Sequence, residues 1–417
     1  MRGTEEEARA TAESTARRSY GKLVAFLSAR TRDVTAAEDA LADAFASALA
    51  HWPCSGIPDS PEAWLLATAR RKAIDDARRK KTRISADPHL KLMAEEAGEV
   101  AEEGGIPDER LRLMFACAHP AIDPAIRAPL ILQTILGFDA ARIASAFLVS
   151  PSTMGQRLVR AKARIRETGI PFRIPDRPEL PERLDAVLAA IYAAFAEGWA
   201  DPAGTETRRR ELAGEAIWLG RLVASLMPQE PEALGLVSLM LFAEARRTAR
   251  RDADGGYVPL AEQDMAKWNQ DLIGEAEELL LKASVMRRPG RYQVEAAIQS
   301  AHVVRRSTGQ ADWAAIVGLY GILASMVPSP VVAVNRAVAL AQAGDADNAL
   351  AALDELTGDP RLADYQPYWA ARAEILVRVG KKAEAVAAYD RAIGLEPDPT
   401  VRDFLQRRRA AVKRGLH

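Results

Sequence analysis

The chain has 417 residues, of which 48% are hydrophobic and 27% are charged, and its formal net charge is −1. These fractions are ordinary for a soluble globular protein, so they exclude a mostly disordered chain, and the length predicts two or three domains. No apolar run of about 18 residues occurs, which argues against a membrane span. The N-terminus lacks the apolar segment of a secretory signal and the two cysteines are far apart, so we expect a cytoplasmic protein.

Catalytic and metal-binding motifs form a second class that the sequence argues against. The histidines form no zinc-binding pair, and the chain carries no P-loop, nucleophile elbow or dinucleotide-binding motif. The segment RRDADGG at 250–256, with Glu262 and Asp264 nearby, lacks the full spacing of a calcium-binding loop, so we predict a turn there. We expect no cofactor, no metal site and no enzymatic activity.

Helix-forming residues predict an all-α fold. Alanine, leucine, arginine and glutamate recur with a helical period nearly everywhere, and no sustained alternation of β-branched and polar residues interrupts them. An acidic, glycine-containing segment at 84–107 and a proline-rich segment at 171–180 break this pattern. The predicted domains are therefore 1–83, 108–170 and 181–417, joined by a linker and a stiff joint.

The first block contains a predicted basic helix. Thr35 is predicted to cap one helix, and Ser60 followed by Pro61 is predicted to begin the next. Segment 70–83 of that second helix holds eight basic and two acidic residues, close to Trp64. Cations bind phosphates and aromatic rings stack on unpaired bases, so the pattern suits a nucleic acid. A solvated amphipathic helix is the open alternative.

The second block carries a predicted helix-turn-helix. Asp139 is predicted to cap a short helix, Leu148 and Val149 to form a turn, and Ser150 to cap a longer helix. This spacing places the longer helix as a recognition helix in a DNA major groove. Its predicted outer face offers hydrogen-bonding and cationic side chains, as base edges and phosphates require. An ordinary helical hairpin is the alternative.

Together these blocks resemble a bacterial sigma factor of the extracytoplasmic-function type, within the sigma-70 family. AEDALADAFASALAHWP followed by PEAWLLATARRKAIDDARR is similar to the first sigma domain, and FDAARIASAFLVSPSTMGQRLVRAKARIR to the second, which reads the promoter −35 element. The resemblance covers about residues 19–168. It implies two small sigma domains that bind core RNA polymerase and promoter DNA while the polymerase supplies the catalysis.

The resemblance also implies roles for individual residues. The helix that docks on the polymerase clamp carries Glu38, Asp39, Leu41, Asp43 and Phe45. The stretch that opens and reads the −10 element carries Trp64, Arg70, Arg71, Lys72, Asp75, Arg78 and Arg79. The residues assigned to −35 DNA are Ser152, Thr153, Gln156, Arg157, Arg160 and Lys162. Arg71 followed by Lys72 departs from the family's usual pattern, which leaves the base preference at −10 open.

The C-terminal region is predicted to be a tetratricopeptide-like helical solenoid. Residues 366–399 fit a 34-residue repeat, and a second copy lies 36 positions earlier, where Gly344 matches Gly380. A further helix pair is predicted at 215–247. FAEGW, RRDADG, AEQDMAKWNQDLI and PGRYQVEAAIQSAH resemble signature segments of sigma factors with a long tetratricopeptide extension. The resemblance implies that this extension regulates the sigma factor, with room for a protein or peptide ligand; a structural brace is the alternative.

The sequence thus supports one leading hypothesis and one rival from another class. The leading hypothesis is a sigma factor that directs core polymerase to −35/−10 promoters and is modulated by its own C-terminal region. The rival is a helix-turn-helix regulator or a tetratricopeptide adaptor without a role in polymerase specificity. The first block discriminates them, because a simple DNA-binding regulator needs no polymerase-docking helix.

Overall fold

The structure is a computed structural model that describes residues 2–31, 34–84, 108–168, 175–199, 207–304, 309 and 311–415. Within these ranges the regular structure is helical, as the all-α prediction requires, and β pairing is limited to one antiparallel bridge between Arg251 and Tyr257. The chain divides into two compact units, Met1–Ala190 and Ile191–His417. Each unit has enough length to bury its own core.

The first unit contains both predicted sigma blocks. Its helices are α1 (Arg2–Thr31), α2 (Val34–Ser55), α3 (Pro61–Ile84), α4 (Glu109–Cys117), α5 (Pro124–Thr134), α6 (Ala140–Ala146) and α7 (Pro151–Thr168). The next helix, α8 (Leu180–Trp199), contains the boundary between the units. Helices α1, α2 and α3 pack against one another around a core centred on Leu41, Trp52 and Leu65.

The starts of these helices follow local capping chemistry. Ser60 precedes α3, and its hydroxyl accepts a hydrogen bond from the Ala63 backbone N–H at 3.4 Å, as the sequence predicts. Helix α2 begins at Val34, so Thr35 lies inside its first turn and the predicted cap at that position is wrong. Asp108, which the sequence analysis did not single out, caps α4 by accepting from the N–H groups of Arg110 and Leu111.

The helix-turn-helix has the predicted capping and turn. The Asp139 carboxylate accepts from the Arg142 N–H at 2.8 Å, and the Ser150 hydroxyl accepts from the Thr153 N–H at 3.2 Å. Leu148 between the two helices has φ 52°, a left-handed conformation that is uncommon for a non-glycine residue. That residue turns the chain sharply enough for α6 and α7 to pack together.

The second unit is a succession of packed helices. After α8 these are α9 (Thr207–Leu226), α10 (Pro231–Ala245), α11 (Gln270–Val285), α12 (Arg291–Val303), α13 (Trp313–Met326), α14 (Pro330–Gln342), α15 (Ala346–Asp354), α16 (Gln366–Arg378), α17 (Lys382–Leu395) and α18 (Pro399–Arg414). The pair predicted at 215–247 corresponds to α9 and α10. Helix α10 is buried on nearly all sides and packs against α9, α11 and α12.

The internal repeat predicted near the C-terminus is a structural repeat of two helix pairs. Helices α14 and α15 form one pair, α16 and α17 the other, and each pair turns at a left-handed glycine, Gly344 (φ 96°) or Gly380 (φ 78°). The residue after each glycine donates its N–H to an equivalent carbonyl: Asp345 to Leu340 at 3.0 Å, and Lys381 to Leu376 at 2.9 Å. Only a residue that tolerates positive φ fits either turn.

A buried ion pair attaches the last helix to the middle of the second unit. Arg251 lies 2.7 Å from a carboxylate oxygen of Asp398, which is 3% exposed and caps α18. The predicted turn at 250–256 holds Arg251 in place, because the Asp252 carboxylate accepts from the backbone N–H groups of Asp254 and Gly256. Asp252 thus stabilises the turn through its own backbone.

A hydrogen-bonded cluster joins the last three helices. The Tyr389 hydroxyl and the Arg408 guanidinium both donate to the carboxylate of Glu374. Burial alone would raise the pKa of Glu374, but these hydrogen bonds outweigh it and hold that pKa below its ordinary value. Burial and the neighbouring carboxylate raise the pKa of Tyr389, so the pair remains a neutral phenol beside a carboxylate at neutral pH.

Candidate nucleic-acid interface

The exposed face of α7 is the strongest candidate DNA-binding surface. Ser152, Gln156, Arg157 and Arg160 are exposed, and Thr153 is half-buried. On the opposite side Met154 and Leu158 are 1% exposed and pack inward. The helix therefore separates an apolar face from a hydrogen-bonding, cationic face, which is the arrangement that major-groove recognition requires.

Lys162 differs from the other residues assigned to −35 DNA. Its ammonium lies 2.9 Å from Oε2 and 3.2 Å from Oε1 of Glu38, a residue assigned to the polymerase contact. The two side chains are 22% and 15% exposed. In this structure each therefore binds the other rather than facing solvent.

Sequence reasoning missed one residue on the face of α7. Val159 is 69% exposed although it is a large hydrophobic side chain. A helical period of 3.6 residues aligns it with Ser152 and Gln156, and this spacing was a signal that could have found it. An exposed aliphatic group between polar ones suits contact with the methyl group of thymine.

The predicted −10 residues lie on α3. Arg70 and Arg71 are exposed, whereas Lys72 is half-buried with its ammonium 3.4 Å from the carboxylate of Asp43. Trp64 is half-buried and packs edge-on against Trp52 at a centroid distance of 5.6 Å. The side chains of Asp75, Arg78 and Arg79 lie outside the described part of the structure.

The predicted polymerase-binding residues divide between the surface and the core of α2. Asp39 and Asp43 are exposed, and Phe45 is half-buried and stacks on Tyr20 at 6.5 Å. Leu41 is 0% exposed and lies in the core, so we correct its assignment: it supports the helix rather than facing a partner. Leu41 points inward because it lies at helical spacing from the buried core residues Ala37, Ala44 and Ala48 of the same helix.

The acidic end of α2 affects a neighbouring tyrosine. Burial, together with the negative charges of Glu38 and Asp39, raises the pKa of Tyr20 to about 12. Tyr20 therefore stays a neutral phenol at neutral pH and packs beside the carboxylates without adding charge. This packing ties α1 to the predicted polymerase-binding surface.

In the second unit, three of the signature segments meet at a cluster of arginine and tryptophan. The guanidinium of Arg246 lies 6.0 Å from the ring centroids of both Trp199 and Trp268, and that of Arg250 lies 3.9 Å from the ring centroid of Trp199. Burial, and then the charge of Arg250, lowers the pKa of Arg246 to about 10. Cation–π contacts therefore hold these segments together inside the unit.

An apolar groove lies between α9, α10 and α11, a feature that the sequence did not predict. Its volume is 560 Å³, within the range of small-ligand sites. Leu234, Val237 and Leu279 line it, and the paired Arg221 and Glu275 lie at its edge.

No group of three or more side chains suited to a metal ion occurs among the described residues. None of the described helices is long and apolar enough to cross a membrane.

The comparison with known families decides the identity of the first block. Sigma-70 region 2 matches residues 15–83, which include α2, nearly all of α3 and most of α1. This match supports a sigma-70 family protein. The match suggests sigma-factor-like binding to RNA polymerase, and the exposed Asp39 and Asp43 of α2 and the exposed Arg70 and Arg71 of α3 all lie inside the matched range.

Two further comparisons extend beyond this block. Residues 183–284 match a family of unknown function, DUF6596. The chain is 40% identical over 369 residues to an uncharacterized protein of Rhizobium meliloti (strain 1021), covering 87% of each chain. No solved structure matches. The helix-turn-helix at 139–168 lies outside both matched family ranges, so its role rests on its geometry.

Proposed function

We propose that the protein is a promoter-specificity factor of the extracytoplasmic-function type, which directs core RNA polymerase to −35/−10 promoters and acts by binding rather than catalysis. The observation that carries this proposal is the open polar face of α7, presented by a capped helix-turn-helix in the same unit as sigma-70 region 2. Two DNA-binding modules on one chain suit two promoter elements. Such a protein acts in the cytoplasm, where promoter DNA is found.

The chemistry of each module supports its proposed element. Exposed Gln156, Arg157 and Arg160 offer amide and guanidinium groups that pair with base edges and phosphates in a duplex. Exposed Arg70 and Arg71 near the half-buried Trp64 suit single-stranded DNA, where cations follow the backbone and aromatic rings meet bases. The two modules therefore suit a duplex −35 element and a melted −10 element.

We further propose that the second unit is a tetratricopeptide-like extension that modulates the sigma factor. Support comes from the repeated helix pairs α14–α15 and α16–α17 and from the groove lined by Leu234, Val237 and Leu279. Helical repeats bind peptides and proteins through surfaces shared between neighbouring repeats. A protein or peptide ligand is the partner that such a surface accepts.

Reconstituted transcription tests the proposal. Core polymerase with the full-length protein should initiate at a cognate promoter and lose initiation when Asp39 is changed to Arg, whereas binding of the variant to a −35 duplex should persist. Initiation that is equal with and without the protein would defeat the proposal. DNA binding with no effect on polymerase would favour the rival, a helix-turn-helix regulator.

A further inference from the structure

The apolar groove of the second unit is a preformed slot with an arginine–glutamate bridge at each end. At one end the Arg221 guanidinium of α9 donates to both carboxylate oxygens of Glu275 on α11, at 2.9 and 2.6 Å. At the other end Arg288, just after α11, lies 3.5 Å from the carboxylate of Glu230 and donates to the backbone carbonyl of Gln229, just before α10. A two-point arginine–carboxylate contact has a fixed geometry. The groove is therefore formed before a ligand arrives, which lowers the ordering cost of binding.

Small residues on one wall leave the slot open. Leu234 and Val237 of α10 are buried and lie at its base. Ala224 and Ser225 line it from α9, and Leu279 lines it from α11. Because alanine and serine are short, α9 does not fill the space above α10, and an apolar surface is left for another molecule to cover.

The α11 side of the slot continues into an exposed aliphatic surface. The lining residues on α11 extend from Glu275 to Val285, which spans about 15 Å, or nearly three helical turns. Val285 is 70% exposed, and Leu281, one turn earlier, is 67% exposed. Leu281 lies outside the groove lining, so a small molecule held in the groove would leave it in water. Adjacent exposed aliphatic side chains beside a groove suit a protein partner instead.

Lys282 gives the slot a positive charge that the chain does not compensate. Its side chain lines the groove and is exposed, and no described residue pairs with its ammonium. Arg221, the other cation that lines the groove, is already paired with Glu275. A negative charge on the partner therefore has one cation available to it, and complementary charges favour the correct orientation of binding.

We propose that the groove between α9, α10 and α11 binds an amphipathic helix of a partner protein, with an acidic residue beside its apolar stripe. The stripe packs on Leu234 and Val237 and covers Val285, while the acidic residue pairs with Lys282. Helices that bind in grooves use apolar anchors at i, i+3, i+4 and i+7, a spacing that fits a slot of nearly three turns. The role of this partner as a modulator of the sigma factor rests on the proposed function, whereas the binding itself does not.

Fluorescence anisotropy with two labelled peptides tests the proposal on the full-length protein. Both are helical, carry leucine at i, i+3, i+4 and i+7 over about three turns, and differ only in having glutamate or lysine beside the stripe. The glutamate peptide should bind saturably, and the lysine peptide should bind with a Kd about fivefold higher. Lack of saturable binding by the glutamate peptide, or equal Kd values for the two peptides, would overturn the proposal.

Charge reversal locates the acidic residue of the peptide. Lys282→Glu should raise the Kd of the glutamate peptide about fivefold and lower that of the lysine peptide. Lys413→Glu is the matched control, because Lys413 is also an exposed lysine in the last turn of a helix, α18, and this variant should keep the wild-type preference. A wild-type preference in Lys282→Glu would overturn the pairing.

An exposed aliphatic residue tests the apolar contact without disturbing the core. Val285→Gln should raise the Kd of both peptides about fivefold, whereas Ile322→Gln, at a 48% exposed position of α13, should change neither. Equal Kd changes in the two variants would overturn the groove as the site. Sedimentation that shows a dimer of the wild type, lost in Val285→Gln, would assign the groove to a second copy and overturn the partner helix. Failure of the wild type to support transcription would instead defeat the proposed function while the peptide results stood.

Discussion

Replacement of Gly235 should destabilise the contact between α10 and α12. A Cβ atom at this position would lie 2.7 Å from the backbone nitrogen of Gln293 and 2.8 Å from its Cγ, whereas non-bonded carbon atoms prefer about 3.5–4.0 Å. That nitrogen is held in place, because its N–H donates a hydrogen bond to the Glu232 carboxylate at 3.1 Å. The neighbouring Tyr292 N–H donates to the same carboxylate at 2.9 Å. Gly235→Ala must therefore displace the start of α12.

The magnitude follows from three terms. Overpacking costs about 1–3 kcal/mol. A weakened cap at the start of α12 costs about 1 kcal/mol more. The higher helix propensity of alanine returns about 1 kcal/mol. The local free energy of opening should therefore fall by about 1–3 kcal/mol, which is roughly a 5- to 150-fold change in an opening equilibrium.

Amide hydrogen exchange measures this local opening without assuming two-state unfolding of the whole chain. In Gly235→Ala the amides of α10 and α12 should exchange faster, while those of the first unit should not change. Gly274→Ala is the matched control in α11, since no atom lies within 4 Å of its Cβ position. Exchange in Gly235→Ala that matches the wild type would refute the reasoning.

Three further predictions concern single side chains. Leu41→Ala should lower the free energy of unfolding of the first unit by about 2–5 kcal/mol, whereas Asp39→Ala should change it by about 0.5 kcal/mol or less. Equal melting curves for the two variants would contradict the placement of Leu41 in the core. Arg160→Glu should weaken promoter binding and reduce the slope of log K against log salt by about 1 or more. The control Arg407→Glu, in the second unit, should change neither the affinity nor the slope. Binding titrations at several salt concentrations measure the affinity and the slope. Because the pKa of Glu374 is lowered in the folded protein, its carboxylate should contribute stability that is complete above its unfolded pKa of about 4.3 and is lost as the pH falls through the folded pKa. Urea unfolding followed from about pH 6 to pH 3 should therefore show a smaller loss of stability in Glu374→Gln than in the wild type. Stability that falls equally with pH in both proteins would contradict this assignment.

The capping chemistry of the helix-turn-helix could be predicted from the sequence because it is local. Asp139 and Ser150 each bond to a backbone N–H three residues ahead, so their roles depend on nothing distant. The repeat turns at Gly344 and Gly380 were predictable for the same reason, since a positive φ is a property of one residue and its neighbours. Burial of Met154 and Leu158 followed from the helical period alone.

Contacts between distant segments could not be predicted in this way. The pairing of Lys162 with Glu38 depends on how the helix-turn-helix packs against the helices of the first block. From the pattern of its own helix alone, either side chain would be expected to face solvent. Leu41 was assigned to a partner surface because the resemblance covered the whole helix, although its helical spacing from Ala37, Ala44 and Ala48, all 0% exposed, could have placed it in the core. The cation–π cluster around Arg246 likewise brings together segments that carry no shared local pattern.

The ion pair between Arg251 and Asp398 has a consequence for synthesis of the protein. Its two residues are 147 positions apart, so at 5–20 residues per second the ribosome needs about 7–30 s to make the chain between them. During that interval Arg251 emerges without the carboxylate that neutralises it in the folded unit. Final closure of this part of the protein must therefore wait until residue 398 has left the ribosome, and the nascent chain is most exposed to chaperones and proteases before then.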